Sequence, residues 1–297
     1  MESMSIKWGL KCELSLLLIM ILIFLPLFGC QNHKINTVSL KKTPPNKEER
    51  ITLAGNRQIP YKLDKEYIYV FKTDKGDVGR GTFKIQKKDY TYDSGEIVTL
   101  ISSNVDINDK SNDTITKGNS VLTFDRNWYL SGYERRSYGE YKKNPKTNGT
   151  EKVILDIRRE WFQSLDKYRI FTKLKITDPK EGKTDEFDIE LPDGGFIFDN
   201  NFLGLMAYIC SQPELKAGRT EILKVLSINL HRVITIKMTP KIKVELNYKG
   251  KKIISYEVDM KADDATFGRY FITPNGVLLK AEEMSGLMLI ELTNPDI

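Results

Sequence analysis

The sequence predicts a mainly β fold: a large curved antiparallel meander, closing as a half-barrel, barrel or sandwich, with one short covering helix. Three observations predict it. Short runs alternate apolar and polar residues, those runs are rich in aromatic and β-branched types, and turn residues separate them at short intervals. Alternation at period two puts one face of each strand on a core and the other in solvent.

The first run is Glu66-Tyr67-Ile68-Tyr69-Val70-Phe71-Lys72, followed by an Asp74-Lys75-Gly76-Asp77 turn and a returning strand over 78–86. Residues 96–101 form a third strand and 121–130 a fourth, after which a loop runs through Pro145 and Asn148-Gly149. Strands follow at 152–158, 168–176 and 186–191, the last ending at the turn Pro192-Asp193-Gly194-Gly195. A helix starts after Asn200-Asn201, a plausible N-cap pair, and runs to about Ser211 before Pro213. Residues 221–230 fit either a buried strand or a helix face. The C-terminal third reads as strands at 233–238, 242–248, 252–260, 267–273, 277–284 and 287–293, with Lys249-Gly250 and Pro274-Asn275-Gly276 as turns. The helix is the natural cover for the sheet, because a large β surface must be closed or covered.

The chain begins differently. Lys7 and Lys11 precede an almost wholly apolar run from Leu14 to Phe28, which ends at Gly29-Cys30. That is the layout of an export signal. The run is about 15 residues, whereas a spanning helix needs about 20, and Pro26 would disturb its last turn. Leu27-Phe28-Gly29-Cys30 resembles the lipobox of bacterial lipoproteins, although Phe28 stands where that family usually has a small or β-branched residue. The resemblance implies cleavage before Cys30 and covalent lipid on its sulfur and new amine. Cys30 is therefore the expected lipidation site, and the covalent lipid the only cofactor-like group expected. Gln31, which is not the aspartate associated with inner-membrane retention, implies the outer membrane facing the periplasm if the cell is Gram-negative.

Three segments follow from this: a signal over 1–29, a lipidated tether and polar spacer over 30–60 with Pro44-Pro45 and a charged run, and one β-rich domain over 61–297. The strand 66–72, the glycine pair around Arg80, and the pairing of 256–260 with 270–279 are similar to uncharacterised exported β-rich bacterial proteins. Envelope lipoprotein carriers, with a half-barrel covered by helices, are a more distant likeness. Neither assigns a functional residue.

Composition excludes several classes. With 40% hydrophobic and 29% charged residues the chain is not a disordered one. A net charge of +6, from 46 basic and 40 acidic residues, does not require nucleic acid, which an exported chain would not meet. Cys210 is the one cysteine of the domain and sits in an apolar stretch, so it reads as a buried hydrophobe rather than a reactive thiol. His231 is the one histidine of the domain, too few for a histidine-rich zinc site, and no Gly-x-Ser-x-Gly elbow accompanies it. Gly79-Arg80-Gly81 lacks the helix of a dinucleotide loop and reads as a bulge or close backbone approach. Asp259, Asp263 and Asp264 lack calcium-loop spacing and read as a solvated hairpin connection.

One surface candidate remains: a basic loop of Arg135, Arg136, Lys142, Lys143 and Lys146 interleaved with Tyr133, Tyr138 and Tyr141, able to touch anionic headgroups or glycans. No catalytic or metal site is expected. The expected role is non-catalytic, a binding or structural subunit with a membrane partner through its anchor and an envelope protein or lipid partner. The alternatives are a carrier of an apolar ligand inside the curved sheet and a cell-wall hydrolase.

Overall fold

The computed structural model describes residues 38–39, 48–55, 57–90, 96–110, 113–141, 149–199, 202–248, 250–283 and 289–293. Within them the chain is mainly β, with seventeen strands in one sheet. All of the described residues belong to one compact unit.

Two antiparallel meanders make the sheet. The first is built from β3 (Glu66–Thr73), β4 (Gly76–Tyr90), β5 (Glu96–Asp109), β6 (Thr114–Phe124), β7 (Leu130–Tyr141), β8 (Gly149–Phe162), β9 (Lys167–Asp178) and β10 (Lys183–Leu191), each pairing with the next. The second is β12 (Thr220–Ser227), β13 (Arg232–Tyr248), β14 (Lys251–Ala262), β15 (Ala265–Ile272), β16 (Leu278–Glu283) and β17 (Leu289–Leu292). β17 pairs with β3 and joins the two meanders. The short strands β1 (Val38–Ser39), β2 (Glu49–Ile51) and β11 (Phe196–Phe198) finish the edges: β1 pairs with β13, while β2 and β11 lie parallel to β12.

The helix α1 (Leu203–Ser211) touches β4, β5, β11 and β16, so it draws on both meanders, and all nine of its residues are buried. A helix apolar all round belongs in a core, not at a surface. It lies close against the sheet because glycines make room. A Cβ on Gly204 would stand 2.8 Å from Ile101 Cγ2, and one on Gly81 would stand 2.7 Å from Leu203 Cδ1. The expected covering helix is thus an internal one.

Several expectations are corrected by this geometry. The cap position of α1 is Phe202, which offers no side-chain cap; Asn200 and Asn201 lie outside the described residues. Residues 121–130 are not one strand, because a turn at Asp125–Tyr129 separates β6 from β7. Asp125 Oδ1 accepts the backbone N–H of Asn127 at 2.8 Å and of Tyr129 at 2.9 Å, which holds that turn without glycine or proline. The two strands expected at 233–238 and 242–248 are one, β13, with a register shift between Pro240 and Ile242. Proline cannot donate to the ladder, so its place is at such an irregularity. The ambiguous stretch 221–230 resolves as β12 up to Ser227, followed by the turn to β13.

The segment read as spacer also contributes to the body. β2 adds to β12, Ala54 and Ile59 are buried, and Thr52 Oγ1 donates to Glu221, whose Oε1 accepts Arg219 Nε at 2.8 Å. Within the segment read as spacer, β2 and the buried residues Thr52, Ala54 and Ile59 thus pack with the body.

Candidate functional site

A buried polar constellation among the described residues lies at the seam between the meanders. β7 carries Tyr133 and Arg135 on its inward face, the residue after β11 is Asp199, and the β12–β13 turn supplies Asn229 and His231. Tyr133 Oη donates to Asp199 Oδ2 at 2.8 Å, Arg135 donates to the same oxygen at 2.5 Å, to Asn229 Oδ1 at 3.4 Å, and to Glu151 of β8. Asp199 is 1% and Arg135 4% exposed. Burial, followed by the charge of Asp199, pushes the Tyr133 phenol well above its ordinary range.

Arg135 continues a polar row across the sheet. Ser103 of β5 pairs with Ser120 of β6, which pairs with Arg135 of β7. Ser103 Oγ, Ser120 Oγ and Arg135 Nε have no hydrogen-bond partner among the described residues. This row is a polar stripe on an otherwise apolar inward face, where Ile101, Val105 and Leu122 are buried beside it.

His231 sits at the rim of the same seam with φ 51°, its ring tilted 35° to that of Phe187 of β10 at a centroid separation of 4.4 Å. Partial burial lowers its pKa, with Arg135 lowering it further against the opposing pull of Glu151 and Asp185. A base held less protonated in the fold than in the open chain makes stability fall as pH drops below about 6.5. His231→Asn keeps a residue that tolerates the left-handed conformation and removes the proton site. Urea melts between pH 7 and 5 are expected to show a loss of stability in the wild type that the variant lacks; parallel curves would refute the assignment.

The other sequence candidates separate. Cys30 lies outside the described residues, as do Lys142, Lys143 and Lys146. The expected basic loop is corrected: Tyr133, Arg135, Arg136, Tyr138 and Tyr141 belong to β7, and the alternation of a strand sends Tyr133 and Arg135 inward. Cys210 is fully buried in α1 and its thiol is pushed up by that burial, out of range for a nucleophile. Asp263 and Asp264, at φ 45° and 69°, form the β14–β15 turn and pair with Arg232 and Lys237; Asp259 pairs with Lys241. Gly79 lies in β4, where a Cβ would meet the Asp106 carbonyl at 2.2 Å, a close backbone approach. Among the described residues no group of three or more His, Cys, Asp and Glu side chains is placed to hold a metal ion.

Asp199, Glu151 and Asn229 were not legible as site residues. Each is isolated in sequence, and only the fold brings them to Arg135, at separations up to 94 residues. Outside the seam, the outward face of β8, β9 and β10 carries an open groove of about 770 Å³, lined by residues including Asp156, Arg158, Lys173, Asp188 and Glu190.

Fold and site together define a class: a β-rich body of two meanders wrapped on a buried helix, with its polar groups engaged in holding the seam. No protein-family model matches the chain, and neither does any curated protein. Among solved structures, a beta-barrel-like protein of a domain of unknown function from Brucella abortus is similar at 12% identity, over 76% of this chain and 94% of that one, with a TM-score of 0.44.

Proposed function

We propose that the chain is a lipoprotein of a bacterial cell envelope, anchored through lipid on Cys30, whose β body serves a non-catalytic binding or structural role. The observation that carries the reading is the apolar run from Leu14 to Phe28 closing on Leu27-Phe28-Gly29-Cys30. Each buried lipid methylene contributes about 0.8 kcal/mol, so two or three chains hold a soluble body to a bilayer firmly. The accessory role is supported by the seam, where the ionised groups are matched to one another instead of converging on an open cleft. A carrier of apolar ligands has less support, because α1 and its neighbours occupy the concave face and the row beside it is polar.

Growth with labelled palmitate tests the anchor. The wild type is expected to take up label and sediment with membranes, and Cys30→Ser to lose the label. An unlabelled wild type with a mature N-terminus elsewhere than Cys30 would overturn it. A stoichiometric partner co-purifying from detergent-solubilised membranes supports the accessory role.

A further inference from the structure

We propose that the hairpin joining β8 and β9 is a membrane-contacting finger that inserts its aromatic tip among the headgroups of an anionic bilayer. The proposal rests on the envelope reading for its setting, but its geometry stands alone.

The end of the hairpin lies beyond the pairing of its neighbours: β7 pairs with β8 no further than Asp156, and β10 with β9 no further than Ile170. From Gln163 to Arg169 every residue is exposed, and the turn is a short 3-10 segment, Gln163–Leu165, closed by Asp166 at φ 46°. Exposed large apolar side chains gather there: Trp161 at 51%, Leu165 at 42%, Phe171 at 41% and Tyr168 at 37%. Such a cluster on a projecting turn marks a surface that is covered in use.

The two faces of the hairpin are alike in chemistry. On one, Trp161 pairs with Tyr168 across the strands with rings 4.9 Å apart. On the other, Phe162 and Phe171 approach at 6.0 Å, with Arg169 5.1 Å from the Phe162 ring and Arg158 5.8 Å from that of Phe171. A docking partner that grips a hairpin from one side leaves the second face in water. A bilayer interface surrounds both, and its headgroup zone is where Trp, Tyr and the stems of Lys and Arg prefer to lie.

Charge selects the kind of bilayer. From Arg158 to Arg169 there are four basic residues against two acidic ones; Arg158 pairs with Glu160 and Arg159 with Asp193, which leaves Lys167 and Arg169 as the basic residues of the tip. Basic residues near an anionic leaflet gain attraction that falls off within a Debye length.

The finger is also braced. Arg159 lies between the rings of Tyr129, at 3.8 Å, and Tyr168, at 3.7 Å, while its guanidinium donates twice to Asp193, at 3.0 and 3.2 Å. A held base presents Trp161 at little entropic cost on insertion.

The test uses the full chain in vesicles of phosphatidylcholine mixed with brominated phosphatidylglycerol, reading tryptophan quenching. The difference between wild type and Trp161→Phe isolates the tip from Trp8 and Trp128. We expect strong quenching that Trp161→Phe removes, with Lys167→Gln and Arg169→Gln each lowering the docked-to-undocked ratio about fivefold. Vesicles of brominated phosphatidylcholine alone are expected to quench weakly. Absence of a Trp161-dependent signal on the anionic vesicles overturns the proposal, as does equal quenching on both. Binding of the finger to purified peptidoglycan, lost in Trp161→Phe, together with silent vesicles, would assign it to a glycan instead. Failure of palmitate labelling with Trp161 still quenched would remove the anchor and leave the finger.

Discussion

Asp199→Ala is expected to destabilise the folded body by about 3–5 kcal/mol, because it strips a fully enclosed guanidinium of its best partner. The carboxylate accepts from both Tyr133 and Arg135, and its loss leaves the Arg135 charge with Glu151, whose side chain is 41% exposed, as its remaining ion pair. Leaving one buried charge uncompensated costs more than the pair itself contributes. The double variant Arg135→Met with Asp199→Leu is therefore expected to be more stable than Asp199→Ala alone. Chemical denaturation of the three chains checks both orders. A single variant near wild-type stability, or a double variant worse than the single, would show that the seam does not depend on this pair.

That network explains what could be read before the fold was known and what could not. Alternation exposed β3, β8, β9 and most of the second meander, because each buries one apolar face. It failed at β7, where the sequence Ser131-Gly132-Tyr133-Glu134-Arg135-Arg136-Ser137 carries no apolar period. The inward position that a strand normally fills with a hydrophobe holds Arg135, and the compensation arrives from Asp199, 64 residues away. A local pattern cannot report a distant counter-charge. The same limit hid the packing of β2 and Thr52, which is buried against Glu221 at a separation of 169 residues. The finger was not legible: the apolar alternation of β8 stops at Arg158, so the strand expected at 152–158 ended there, with Trp161 and the turn unassigned.

Tyr208→Ala is expected to cost about 3–5 kcal/mol, the range for deleting a large buried ring, with a further loss from an orphaned amide. The ring sits on the buried face between Phe124, at 4.7 Å, and Phe196, at 5.8 Å, so one side chain of α1 binds the end of β6 to β11. Its hydroxyl accepts the backbone N–H of Gly55 at 3.0 Å, which fastens the chain after β2 to the helix. Tyr208→Phe separates the two contributions: it keeps the ring and removes only the acceptor, at an expected cost of about 1–3 kcal/mol. Hydrogen exchange reads the difference by place. In Tyr208→Phe the opening is expected around residues 52–55 alone, whereas in Tyr208→Ala it spreads to β6 and β11. If both variants opened only the 52–55 segment, α1 would be a passenger on the sheet; spreading would make it the element on which the two meanders close.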